Sequence, residues 1–260
     1  MYAFALLGDG AERAVERLAA AVEGRVGVVR VGDAATDGGV TAGYGGTEYV
    51  VDERWRATGD GLSVSDALDR LAPDHDYAAV LGDDETGLPT IAVGDGVEDA
   101  VFEADDARSF DTEAAIEAIH GTEPHETLES LVAEVKRSQS ADYAGAIATF
   151  TGRVRAKEDT ADDRTHYLEF EKYEGVAERR MDSIETELEE RDGILNVRLH
   201  HRTGRIPDGE DIVFVVVLAG HRREAFRAVE DGIDRLKDEV PLFKKEVTDD
   251  EMFWVHERET

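Results

Sequence analysis

The sequence predicts two units in succession, an α/β domain over residues 1–119 and an α+β domain over residues 122–260. Three observations predict this. The chain opens with a strand, a glycine turn, a helix and a second strand, the layout of an α/β unit. His120-Gly121-Thr122-Glu123-Pro124 then places a glycine and a proline between two periodic segments, as a junction does. Finally, the charge changes across it. Residues 1–135 hold 8 basic and 30 acidic side chains, net −22, with no lysine, whereas residues 136–260 hold 21 and 30, net −9. Two balances of charge imply two tasks, the second involving anions.

The 260 residues carry a formal net charge of −31 and a sequence pI near 4.5. Acid in that excess, with arginine outnumbering lysine 23 to 6, is the surface expected of a protein kept soluble in molar salt. It repels phosphate and so argues against a nucleic-acid partner. No apolar run reaches the roughly 18 residues that a membrane span needs. Met1 to Leu7 lacks a basic leader and reads as a strand, so a cytoplasmic protein is expected. Cysteine is absent, which excludes disulfides, thiolate metal sites and a cysteine nucleophile. Any sulfur handled here arrives on another molecule.

In the first half, Tyr2–Leu7 alternates apolar residues before Gly8-Asp9-Gly10, and Val15, Leu18, Ala19 and Val22 mark the helix that follows. Val28–Val31 is the second strand. A phosphate-binding P-loop needs G-x-x-x-x-G-K-[ST], whose amides, lysine and hydroxyl hold phosphates and magnesium. The turn here is too short, lacks the lysine and hydroxyl, and carries Asp9 and Glu12 where phosphate would sit. Thr47–Val51 is followed by an expected helix at Ser63–Leu71 and strands at Tyr77–Leu81 and Pro89–Val93, and Ala114–Ile119 closes this half. Asp83 and Asp84 follow a strand and could hold magnesium, but a solvated turn is the simpler reading. The opening, Arg56-Ala57-Thr58-Gly59-Asp60-Gly61-Leu62 and Asp76-Tyr77-Ala78-Ala79-Val80-Leu81-Gly82 resemble the molybdopterin-guanine dinucleotide biosynthesis adapter family, of P-loop-type fold. With the phosphate loop missing, the resemblance implies a degenerate P-loop-like structural or docking domain.

In the second half, Thr127–Val135 reads as a helix, Gly145–Phe150 as a strand running into the basic turn Thr151–Arg155, and Leu168–Tyr173 as another strand. Met181–Leu188 is helical and Leu195–His200 extended. Ile212–Leu218 is almost wholly apolar, so it should be a central strand covered on both faces. It delivers His221 and Arg222 to the start of a helix with an expected buried stripe of Phe226, Val229, Ile233 and Leu236. That helix ends at Lys237-Asp238-Glu239-Val240-Pro241-Leu242-Phe243-Lys244-Lys245-Glu246, which holds three of the six lysines. An ammonium shifts its pKa readily and can move protons or act as a nucleophile, which guanidinium cannot. Pro241 cannot continue a helix, so Lys237 should end one element and Lys244 should lie on the next. Trp254 and Val255 form a last short strand. His200 and His201 adjoin on a strand and face opposite sides, a poor metal pair. Glu158–Asp163 reads as an acidic loop.

Thr149-Phe150-Thr151-Gly152-Arg153-Val154-Arg155, His201-Arg202-Thr203-Gly204, His221-Arg222 with Ala225-Phe226, and Lys237 with Pro241-Leu242-Phe243-Lys244-Lys245-Glu246 together resemble the catalytic (large) subunit of molybdopterin synthase, of α/β hammerhead type. Phe243 stands where that family commonly has tryptophan. The resemblance implies transfer of sulfur from the C-terminal Gly-Gly thiocarboxylate of a small ubiquitin-like subunit to cyclic pyranopterin monophosphate, giving the dithiolene of molybdopterin. It implies no permanently bound cofactor or metal, and a heterotetramer built on a homodimer. By motif position Lys237 and Lys244 are the catalytic candidates. Arg155, His221 and Arg222 are substrate-binding candidates, with Lys245 and Phe150 as further ones. The chemistry agrees: a cyclic phosphate needs cationic clamps, and ring opening with sulfur addition needs proton delivery or a transient covalent hold. His221 and Lys237 stand 16 positions apart on one helix, roughly 24 Å at about 1.5 Å per residue. The expected site therefore takes its lysines and Arg155 from one chain, and His221 and Arg222 from its neighbour in a symmetric dimer. A second reading makes the C-terminal half a docking module for ubiquitin-like proteins, with its lysines as isopeptide acceptors.

Overall fold

The computed structural model describes residues 1–32, 47–51, 53, 55–58, 61–82, 86–94, 97–157, 159–160, 163–173, 175–248 and 252–255. Its contacts divide the chain into two compact units, Met1–Thr127 and Leu128–Thr260. The division falls after the junction read from the sequence because residues 120–126 are tied to the first unit. The Thr122 hydroxyl donates to the Ile119 carbonyl (2.7 Å), and the His125 amide donates to the Met1 carbonyl (2.7 Å).

The first unit is built on five parallel strands, β1 (Tyr2–Leu7), β2 (Val26–Arg30), β5 (Tyr77–Leu81), β6 (Thr90–Val93) and β7 (Phe102–Ala104), in the order β2-β5-β1-β6-β7. Both faces are covered, as a parallel sheet requires. Phe4 and Leu6 point into one layer with Val15 and Leu18 of α1 (Ala11–Ala21) and Ile119 of α3 (Thr112–His120). Met1 and Ala3 point into the other, with Leu68 of α2 (Val64–Leu71). Helix α2 starts where the sequence places it because Ser63 and Asp66 form a reciprocal capping box. Strand β3 (Glu48–Val51) does not join this sheet; it pairs with β4 (Trp55–Thr58) as a separate hairpin. Strands β4 and β7 were not expected, being only four and three residues long. Asp83 and Asp84 lie outside the described residues.

The second unit holds two antiparallel sheets. One has the order β10-β12-β8, from β8 (Ala146–Arg153), β10 (Ile194–His201) and β12 (Asp211–Ala219). The other has the order β11-β9-β13-β14, from β9 (Thr165–Lys172), β11 (Gly204–Pro207), β13 (Leu242–Thr248) and β14 (Met252–Val255). Strand β12 is central and covered on both faces, as its apolar run predicts. Val213, Val215, Val217 and Ala219 meet α5 (Val176–Glu189) and α6 (Arg222–Glu239), while Phe214, Val216 and Leu218 meet α4 (Leu128–Lys136). Strand β11 escaped the sequence reading because it is four residues long and ends in proline.

The buried face of α6 differs from the expected stripe. Ala225, Ala228, Val229, Gly232, Ile233 and Leu236 are buried, whereas Phe226 is 66% exposed. The helix presses small residues against β12: a Cβ on Gly232 would stand 3.1 Å from Val215 Cγ1. So close an approach leaves no room for a phenyl ring in the contact layer, and Phe226 turns outward.

Candidate active site

Pro241 shapes the site. It offers no N–H, so Val240 turns extended (φ −86°, ψ 123°) and α6 stops at Glu239. The chain reverses at once into β13, which pairs antiparallel with β9, Lys244 opposite Phe170 and Lys245 opposite Glu169. The end of α6 is fixed to α5 by Arg235, whose guanidinium donates to Glu239 (2.8 Å) and to Glu187 (2.6 Å). The last turn of α6 and the start of β13 thus face one another across a cavity of about 940 Å³. That lies within the range of small-molecule sites.

The cavity brings together Lys237, Lys244, Arg155 and Phe150. Lys237 and Arg155 are exposed, Lys244 and Phe150 half-buried. Ile233, Leu236, Val240 and Leu242 give it an apolar wall from the α6–β13 reversal. Phe243 also lines it, its ring edge-on to Tyr173 at 5.3 Å.

Lys245, a substrate-binding candidate by motif, does not line this cavity. Leu242, Phe243, Lys244 and Glu246 of β13 line the cavity, whereas Lys245, one step along the alternating strand from Lys244, turns to Glu169 of the paired strand, its Nζ 3.2 Å from Glu169 Oε2. His221 and Arg222 do not line it either. His221 is the N-cap of α6 and Arg222 its first residue, a full helix length from Lys237, and both are exposed. The five principal candidates therefore do not converge within one chain.

Arg153, Thr151, Thr165, His201 and Glu246 line the cavity and were not among the sequence candidates. Arg153 lies on β8 itself, which runs three residues further than expected. It pairs with Asp211 (3.1 Å) and donates to the Gly209 carbonyl. The Thr165 hydroxyl donates to Glu246, holding a carboxylate in the cavity wall. His201 is buried, donates from Nδ1 to the Arg202 carbonyl (2.7 Å) and stands edge-on to Phe170. His200 faces the opposite side, stacked on Phe214. Glu246 was legible, since it stands two residues from Lys244 on a strand. Thr165 carried no signal, because β9 meets β13 only through the fold.

The turn after β1 has a different character. Gly8 adopts φ +98°, and a Cβ there would stand 2.2 Å from the Val93 carbonyl oxygen. The Gly10 amide donates to that same oxygen (3.4 Å) and the Ala11 amide to the Gly8 carbonyl (3.1 Å). Amides that cradle phosphate in a P-loop are here bonded within the chain. Among the described residues no group of acids and histidines has metal-site geometry, and no helix is long and apolar enough to cross a membrane.

The model of the MoaE protein family matches residues 122–239, up to the last residue of α6. A probable molybdopterin synthase of Haloferax volcanii is 52% identical, over 99% of this chain and 100% of that protein. The chain belongs to the molybdopterin synthase family. A molybdopterin synthase catalytic subunit of Pyrococcus abyssi is 37% identical over 45% of this chain and 77% of that protein. The crystal structure of molybdopterin synthase from Staphylococcus aureus aligns with 35% identity and a TM-score of 0.45, over 52% of this chain and 93% of that one. The family match to residues 122–239 falls almost wholly in the second unit, where the cavity lies.

Proposed function

We propose that this enzyme of molybdenum cofactor biosynthesis is the catalytic subunit of molybdopterin synthase and works at the Lys237–Lys244 cavity. Its substrate is cyclic pyranopterin monophosphate, and the sulfur comes from the C-terminal Gly-Gly thiocarboxylate of a small ubiquitin-like subunit. One observation carries the reading: two lysines seven positions apart, on different elements, line one cavity with Arg155.

In this reading Arg155 holds the cyclic phosphate and the ring of Phe150 lies against the pterin. Lys244 and Lys237 deliver and take up protons as the phosphate ring opens and sulfur adds, or hold the intermediate covalently. The absence of cysteine is compatible, since the sulfur travels on the partner. The reading assigns no resident cofactor and a cytoplasmic setting. His221 and Arg222 enter each site from the second copy in a homodimer, which two small subunits complete as a heterotetramer. Their place at the far end of α6 supports that division of labour. The first unit acts as a structural or docking domain.

The test is dithiolene formation. The protein is mixed in high salt with cyclic pyranopterin monophosphate and thiocarboxylated small subunit, and product is read as its fluorescent oxidised pterin. Product is expected; a folded, partner-bound protein that makes none would overturn the reading.

A further inference from the structure

Three arginines from three parts of the second unit grip one acidic turn. The turn, Asp208-Gly209-Glu210-Asp211, runs from β11 into β12. Arg164, just ahead of β9, pairs with Asp208, and Arg202, just after β10, donates to Glu210 (3.1 Å) and to the Asp211 carbonyl (2.8 Å). Arg153 pairs with the Asp211 carboxylate (3.1 Å) and donates to the Gly209 carbonyl. The backbone of the turn is tied to the end of β8 as well. The Val154 amide donates to the Glu210 carbonyl and the Gly209 amide to the Val154 carbonyl, both at 2.9 Å. Of the three arginines, Arg153 alone lines the lysine cavity, and Arg155 lines it two residues further on. The Arg153 side chain is 63% exposed, so water competes for its ion pair and the pair adds little to the fold.

The chemistry calls for a cation in that position. A cyclic phosphate is a diester with one negative charge. Ring opening with sulfur addition breaks one C–O bond and forms one C–S bond. The sulfur supplies the electron pair of the new bond, and the pair of the old one stays on the phosphate oxygen. The phosphate is then a monoester, whose second pKa of about 6 gives it close to two negative charges at neutral pH. A charge thus develops that the bound substrate lacks. A cation that meets it only then favours the transition state, whereas one already seated on the substrate binds both states alike.

We propose that Arg153 is that cation: Asp211 holds it aside in the resting site, and it turns to the phosphate as the ring opens. This role rests on the enzyme reading above. Arg155 holds the phosphate throughout, and Arg153 receives the charge that develops. Asp211 is the positioning residue. It stands opposite Arg153 in the β12–β8 register, and Arg164 and Arg202 keep the turn that carries it in place when Arg153 leaves.

Kinetics and ligand binding test this separately. Arg153→Gln should lower kcat roughly 10-fold to 100-fold and leave KM within about twofold. An enclosed oxyanion donor is worth about 100-fold to 1,000-fold, and exposure and the assay salt reduce that. Arg153→Lys keeps a point charge without the planar fork and should recover part of the loss. Asp211→Asn releases the guanidinium to the bound substrate, so KM should fall by up to about fivefold with no gain in kcat. The second measurement is calorimetric titration at pH 8 with propyl phosphate, a monoester, and trimethylene phosphate, a cyclic diester. The native chain should bind the monoester more tightly, and Arg153→Gln should erase that preference while leaving the diester unchanged. Equal weakening of both esters, weakening of neither, or a native chain that binds neither overturns the role. So does an Arg153→Gln enzyme with native kcat, or one whose loss is confined to KM. Native chain that makes no product under any condition sinks the enzyme reading instead, and the titration still decides whether Arg153 answers the second phosphate charge.

Discussion

The turn after β1 in the first unit and the reversal after α6 in the second are both places where a chain leaves one element beside a sheet. They are finished in opposite ways. At Gly8–Gly10 the backbone is pressed against Val93, and the Gly10 and Ala11 amides are spent on carbonyls of the same chain. At Val240–Leu242 the chain opens around a cavity into which Lys237 and Lys244 project from two directions. A crevice at the end of a strand or helix becomes a site only when its polar groups are left for a ligand. The fold of the first unit offers such a crevice, and its own packing fills it.

Lys244→Ala should break this contrast most sharply. General acid–base or covalent roles are worth roughly 100-fold to 10,000-fold in rate, so turnover in the dithiolene assay should fall at least that far with the small subunit still bound. Gly8→Ala is its counterpart. It sets a Cβ into the Val93 carbonyl at a left-handed φ, and should cost roughly 2–4 kcal/mol in the unfolding of the first unit. Turnover per folded molecule should stay within about twofold if that turn has no part in the chemistry. A Gly8→Ala protein that keeps its stability but loses turnover would place a working site in the first unit.

Much of both units was legible because the buried strands carry long apolar runs. Ile212–Leu218 announced a central strand, and β1 with Gly8-Asp9-Gly10 announced the α/β opening. Lys237, Lys244, Arg155 and Phe150 were legible as candidates from motif spacing, and the strand alternation that separates Lys244 from Lys245 was available in the same ten residues. Phe226 was misread because periodicity marks an apolar face without saying how closely that face approaches its sheet. With Ala225, Ala228 and Gly232 setting the distance, the large ring turns outward. Thr165 and His201 reach the cavity through sheet pairing and ring packing across some 30 to 80 residues of chain, which no local pattern encodes.

A third test concerns the second unit alone. Burial raises the Glu185 carboxyl from the ordinary 4.5 to about 7, against the opposing pull of the Leu199 amide and Arg198. Below pH 4.5 the folded and unfolded chains are both protonated there, and the neutral form contributes its full stability. As pH rises toward 7 the unfolded chain releases its proton first, so stability falls by about 3 kcal/mol in total and levels off above about pH 7. Glu185→Gln keeps an oxygen for the Leu199 amide and has no charge to bury. Its unfolding midpoint should therefore gain on the native chain between pH 5 and pH 8, by thermal melts at fixed salt. Equal slopes in the two proteins would show that this carboxyl is not desolvated.

The smallest effect should come from the neighbour of the largest. Lys245 stands one residue from Lys244 on β13, but faces Glu169 across the other side of the sheet. Its partly exposed ion pair is worth about 0–1 kcal/mol, and less in the high salt of the assay. Lys245→Ala should change turnover less than about threefold and stability by no more than that pair contributes. Two adjacent lysines differing by two orders of magnitude would mean that strand geometry, more than local positive charge, decides which ammonium reaches the substrate. Equal losses at both positions would mean the opposite. The cationic stretch would then act as a diffuse electrostatic patch, and the cavity would lose its claim as the place where the chemistry is done.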